Sequence, residues 1–263
     1  MPFKIPKNPS KKFLRTFLEE QYQSFNTECA VSETLLDPLL VARKFRDEKI
    51  ALFCALFAYG NVRAILKFLD SCALEYLQHG QRKEKIKRNF SCTNKPYRFQ
   101  SNIEICDFFQ ALWHLDSLEE IFYIGYQKGK SGNGILGGIQ NLQNAIYGRL
   151  KNPNSKGLQF LLGMLVTEQN TSPLKRWNLF LRWMVRKDCL DLGLWSSVDK
   201  KDLLLPLDTH TFRISQRLGL LKRKSYDYKA VLEVSEKLRE FDASDPIKYD
   251  FALYRIGQLG LFN

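Results

Sequence analysis

An all-α fold is what this sequence predicts, on three observations. Apolar residues recur at helical spacing in most segments, alternating apolar and polar runs are scarce, and Asp or Ser stands just ahead of several periodic stretches. The 263 residues are enough to bury a full core, as one large domain or two lobes.

Taken in order, residues 4–15 form a basic arm expected to be partly mobile. Asp47 can cap a helix running to Tyr59 that is apolar nearly all round (Ile50, Ala51, Leu52, Phe53, Ala55, Leu56, Phe57), with Gly60 closing it; such a helix is central core. Two stretches read as loops: residues 81–98, with seven Lys/Arg against one Glu, and residues 128–138, with five glycines. Between residues 173 and 187, Leu174, Trp177, Leu181 and Met184 fall on one stripe, and the other face carries Lys175, Arg182 and Arg186. Ser172 and Pro173 read as N-cap and first helical residue, which puts Lys175 in the first turn. Asp208 starts a helix that Gly219 ends. Residues 229–241 repeat the period through Val231, Val234, Leu238 and Phe241, and Asp245-Pro246 opens a last helix that includes Asp250, Phe251 and Tyr254.

Forty Lys+Arg against 28 Asp+Glu leave a net charge of +12, which favours a polyanionic partner, nucleic acid before membrane. The longest uncharged apolar run, residues 50–62, has 13 residues, too few to span a bilayer, and the chain starts without the apolar core of a signal peptide. A cytoplasmic protein is expected. Six scattered cysteines (Cys29, Cys54, Cys72, Cys92, Cys106, Cys189) contain no C-x-x-C pair and read as reduced, mostly buried thiols; with His79, His114 and His210 far apart, no metal or cluster is indicated. Gly125 to Ser131 is one residue short of a phosphate-binding P-loop and reads as a flexible turn.

Lys175 and Asp208 are the residues with chemical promise. The positive end of a helix favours a neutral amine over an ammonium, so a lysine there is placed as a nucleophile, whereas a carboxylate is favoured there whether or not it does chemistry. Taken alone, the pair reads as a solvated lysine beside Arg182 and Arg186 and an ordinary Asp cap. Chemistry requires both groups to face one cleft.

Leu207-Asp208-Thr209-His210-Thr211-Phe212-Arg213-Ile214, with Arg217-Leu218-Gly219, resembles the V-D-T-H-x-x-R-(x)3-R-(L)-G segment of the helix-hairpin-helix DNA glycosylase superfamily, in which the aspartate is catalytic. Residues 58–62, 175–188, 191–195 and 248–253 resemble a bacterial family similar to that superfamily, over most of the chain. The chain has no L-P-G-V-G-x-K-T hairpin before Lys175 and no four-cysteine cluster, and its lysine-to-aspartate spacing is closest to the archaeal 8-oxoguanine glycosylase branch.

The resemblance implies a two-lobed helical fold with the site in the cleft between lobes: residues 48–205 as a central bundle carrying Lys175, and 1–47 plus 206–263 as a second lobe carrying Asp208. It implies base-excision repair of an oxidised purine such as 8-oxoguanine, with AP lyase activity, by Lys175 as nucleophile and Asp208 as stabiliser of the sugar cation. Trp177, Trp195, Asp250 and Phe251 would then contact the flipped base. Arg176, Arg182, Arg186, His210 and Arg213, with the basic residues 82–98, would contact the DNA backbone. No cofactor is implied, and the partner is double-stranded DNA, bound by a monomer at the nucleoid. The alternative is a non-catalytic nucleic-acid-binding protein on the same scaffold.

Overall fold

A computed structural model describes residues 3–32, 35–78, 91–129 and 134–261. Among them lie twelve α-helices: α1 (Lys11–Phe25), α2 (Leu39–Phe45), α3 (Glu48–Leu56), α4 (Val62–Leu69), α5 (Asn102–Trp113), α6 (Leu118–Lys128), α7 (Gly134–Tyr147), α8 (Lys156–Leu162), α9 (Lys175–Val185), α10 (Thr209–Arg217), α11 (Tyr228–Arg239) and α12 (Asp250–Gln258). Pairing of extended backbone among the described residues is limited to two isolated bridges, so the class is all-α. None of these helices is long and apolar enough to cross a membrane.

Local chemistry sets most helix starts. Side chains of Ser10, Asp47, Asn61, Ser117, Ser155, Asp208 and Asp227 each accept from a backbone N–H of the first turn they precede, and Ser101 forms a reciprocal capping box with Glu104.

The chain divides into two compact units. One comprises Val31–Gln169 and Leu194–Val198. Its centre is α3, in which every residue is buried, including the apolar ones expected there. That helix stops at Leu56 rather than Tyr59, and Gly60 follows in a left-handed conformation at φ +101°. Glu48 accepts from the Leu118 and Glu119 N–H groups at 2.7 and 3.0 Å, supplying the start of α6 with an acceptor from another helix.

The glycines expected to form a loop have another use. Gly125 lies in α6, and Gly134, Gly137 and Gly138 lie in α7, while residues 130–133 fall outside the described residues. A Cβ on Gly137 would sit 2.5 Å from the Gly125 carbonyl oxygen, and one on Gly138 2.4 Å from the Phe122 ring. The two helices touch backbone to backbone. Gly125 to Lys128, read as a turn from the P-loop-like spacing, is therefore helical.

The other unit comprises Met1–Ala30, Asn170–Gly193 and Asp199–Asn263. It holds α1 and α9 to α12, and it contains both Lys175 and Asp208, which the expected lobes had separated. The reason is ionic as well as apolar: Arg182 and Arg186 of α9 pair with Asp250 and Asp245 from the C-terminal segment. The basic arm is helical from Lys11, where Lys11 pairs with Glu240 at 3.0 Å and Arg15 donates to the Phe241 carbonyl at 3.1 Å. Asp245-Pro246 begins a turn, and the last helix starts four residues beyond that proline, at Asp250. Gly257 lets α12 approach α10, since a Cβ there would lie 2.8 Å from that of His210.

Candidate active site

The segment leading into α9 is a run of turns. The Asn170 side chain accepts from the Ser172 N–H and donates to its carbonyl, and Ser172 Oγ accepts from the Leu174 N–H at 3.4 Å. Ser172 is thus two residues short of the cap expected for it. The N-cap is Leu174, at φ +50° in the left-handed region, with no side-chain cap bond. For a leucine this conformation costs on the order of 1 kcal/mol, and burial of its side chain holds it there. Lys175 is consequently the first helical residue, where backbone N–H groups have no intrahelical partner.

Asp208 is the N-cap of α10, as expected, and its Oδ1 accepts from the Thr211 N–H at 2.7 Å. Its other oxygen lies 3.5 Å from Lys175 Nζ. The lysine side chain is 33 % exposed and the aspartate 10 %. Two helix starts therefore bring an amine and a carboxylate together at a place open to solvent on the lysine side.

Two neighbours shape the surroundings of Asp208. Tyr226 donates to the Leu207 carbonyl at 2.6 Å, and burial together with the nearby Asp208 charge pushes its phenol up to about 12, so it stays protonated. Asp250 is pushed up to about 6 by burial; the Arg182 guanidinium opposes that rise, and the charges of Asp208 and Asp191 add to it. Tyr226 was absent from the expected site because it stands in a polar stretch, residues 222–227, with no apolar period to single it out.

Other expected contacts lie elsewhere. Arg182 and Arg186, expected on a DNA-facing surface, are buried in a network: Arg182 bonds Asp191 at 3.1 Å and Asp250 at 2.5 Å, and Arg186 bonds Asp245 at 2.9 Å, Asp188 at 2.8 Å and Asp191. Charges committed to interior carboxylates do not contact phosphates. Asp250 is likewise a partner of Arg182 rather than an acceptor for a base edge. Trp177 is core. Trp195 belongs to the α2–α8 unit, where its indole N–H donates to Glu48 at 2.8 Å and its ring packs on Phe122. Phe251 is buried beneath the Arg182 and Arg255 guanidiniums, at 5.8 and 4.9 Å from its centroid. His210 and Arg213 remain exposed on α10, and Arg176 is half-buried beside Lys175. Residues 82–90 of the expected basic segment lie outside the described residues.

The fold and this pair define an all-helical protein with a lysine–aspartate constellation at two converging helix starts. The chain belongs to the family described as a protein of unknown function, DUF2400, whose model matches residues 37–259. No curated protein and no solved structure matches it.

Proposed function

We propose that the protein is a DNA N-glycosylase with AP lyase chemistry, acting on an oxidised purine such as 8-oxoguanine in duplex DNA. The observation that carries the reading is the 3.5 Å approach of Lys175 Nζ to Asp208 Oδ2, each at the first turn of its helix. The similarity of residues 207–219 to the glycosylase segment supports the same assignment, and the exposed His210 and Arg213 on α10 give duplex phosphates two contacts beside it.

In this reading Asp208 takes the proton from the Lys175 ammonium, and the neutral amine attacks C1′ of the flipped nucleotide. The new N–C1′ bond forms as the bond to the base breaks, and the base leaves with the electron pair and with the proton that Asp208 had taken, which restores the carboxylate. Opening of the sugar ring gives a Schiff base; loss of a C2′ proton then expels the 3′ phosphate. The Asp208 carboxylate also faces the positive charge that develops on the sugar. Asp250 and Arg182 are buried and paired with each other, so neither competes for the substrate.

Borohydride trapping on duplexes carrying a panel of oxidised bases tests the reading. The wild-type chain is expected to form a reducible covalent adduct and Lys175→Gln none. Asp208→Asn, which keeps the cap, should lower base removal by about 10²–10³-fold. An adduct of wild-type yield with Lys175→Gln would refute the nucleophile, and no adduct by the wild type on any lesion would leave a non-catalytic nucleic-acid-binding protein.

A further inference from the structure

A second reactive cluster lies in the α2–α8 unit. Cys92 and Cys106, read from the sequence as unrelated thiols, stand with their sulfurs 3.1 Å apart, both unbonded. Cys92 is in the segment after residue 90 and Cys106 is on α5. The Cys92 backbone is held in place, its carbonyl accepting from the Ala73 N–H at 2.9 Å.

The two thiols differ in environment. Cys106 Sγ accepts from the Cys92 N–H at 3.2 Å and lies 3.6 Å from the Ser91 hydroxyl and within hydrogen-bond reach of the Cys92 sulfur. A contact to the Thr93 carbonyl favours the thiol but is long, 3.7 Å. The hydrogen bond from Cys92, joined by those of the backbone and Ser91, pulls Cys106 down to about 5 against the effect of burial, while the same bond pushes Cys92 up. Access differs as well. Cys106 is half-exposed and lines a cavity of about 240 Å³ with Ser91, Ile103, Gln110 and Lys151, whereas Cys92 is buried. The other charge at that cavity, Asp107, is occupied by the Lys151 and Asn152 N–H groups, and Cys72, on the far side, is a buried thiol pushed up by burial.

We propose that Cys92 and Cys106 form a two-thiol oxidation site that reacts with hydrogen peroxide and closes to a disulfide. The accessible Cys106 thiolate attacks one peroxide oxygen; an S–O bond forms, the O–O bond breaks, and the departing hydroxide takes a proton to become water. Cys92 then loses its proton and attacks the Cys106 sulfur; the S–S bond forms, the S–O bond breaks, and a second water leaves. Two thiols lose two electrons and one peroxide is reduced to two waters. The disulfide ties residue 92 to α5 and closes a loop that carries Arg98 and Phe99, whose exposed ring lies beneath that guanidinium at 5.6 Å. The proposal is independent of the glycosylase reading.

The reduced full-length chain, treated with stoichiometric hydrogen peroxide and mapped without reductant, should yield a Cys92–Cys106 linked peptide and an intact mass lower by two hydrogens. Cys92→Ser should stop at a Cys106 sulfenic acid that dimedone captures, and Cys106→Ser should give neither product. On the wild type, iodoacetamide alkylation of Cys106 should level off above about pH 6, well below the point at which an unperturbed thiol stops gaining rate. The proposal is overturned if Cys29 or Cys189 oxidises before any Cys92–Cys106 link forms, or if Cys106 alkylation keeps gaining rate up to about pH 8.5, as an unperturbed thiol does.

Discussion

The Arg182 guanidinium and the Asp250 carboxylate meet at 2.5 Å, joining the last turn of α9 to the first residue of α12, with each side chain 4 % exposed. A buried pair of this kind contributes little over a well-packed apolar pair, but losing one partner strands the other charge in a medium that solvates it poorly. Arg182→Ala, which also strips a bond from Asp191, is expected to cost about 3–5 kcal/mol. The drop is to be read by urea unfolding; a loss under about 1 kcal/mol would mean that water or neighbouring groups replace the guanidinium.

Asp208 has two separable roles. Asp208→Asn can still accept from the Thr211 N–H, and the pair lost with Lys175 is part-exposed and therefore screened, so stability should change by less than about 1 kcal/mol. Asp208→Ala loses the cap as well and should cost about 1 kcal/mol more. Equal unfolding midpoints for the two variants would show that the cap contributes nothing.

Glycine in the interior of α7 runs against helix propensity, and alanine at Gly137 would be favoured by about 1 kcal/mol on that ground alone. Its Cβ would meet the Gly125 carbonyl at 2.5 Å, a backbone atom that cannot rotate away, and overpacking of that kind costs about 1–3 kcal/mol. Gly137→Ala should accordingly lower the melting temperature. A rise would mean that the α6–α7 approach is looser than the contact implies.

Arg213 and Arg186 should behave oppositely. Arg213 is exposed, so Arg213→Ala should leave stability within about 0.5 kcal/mol while reducing the salt dependence of duplex binding by about 0.9 in the log–log slope. Arg186→Ala should destabilise the fold. Binding measured by fluorescence anisotropy across a salt series distinguishes them, and an unchanged slope for Arg213→Ala would remove that residue from the interface.

Asp242 supplies a pH dependence. Burial pushes its carboxyl up, but the Lys248 ammonium at 2.8 Å, the Ser244 hydroxyl and the Asp245 N–H outweigh that and hold it well below the usual carboxylate range. A carboxylate depressed in the folded state contributes stability that is present above its unfolded value, about 4, and is lost as pH falls through and below that value. Asp242→Asn should therefore destabilise at pH 7 and flatten the fall in stability below about pH 4, read from unfolding midpoints at a series of pH values. A parallel displacement of the two curves would contradict the assignment.

What the sequence by itself determined is local. Asp47, Asp208 and Asp227 start helices because a short acceptor reaches an N–H two or three residues on, and Trp177, Leu181 and Met184 are core because their spacing keeps them on one side of a helix. The convergence of Lys175 on Asp208 was legible only through the likeness of residues 207–219 to a known segment, since no spacing rule brings two helix starts together. Tertiary structure decided the fate of charge and of glycine. Arg182 and Arg186 occupy positions that a polar face would give to solvent, and carboxylates more than fifty residues away, Asp245 and Asp250, make their burial tolerable. Gly125, Gly137 and Gly138 look like a loop until two helices need backbone contact. In each case part of what decides lies beyond the local segment, and burial, which sets the strength of every such interaction, exists only once the chain has folded.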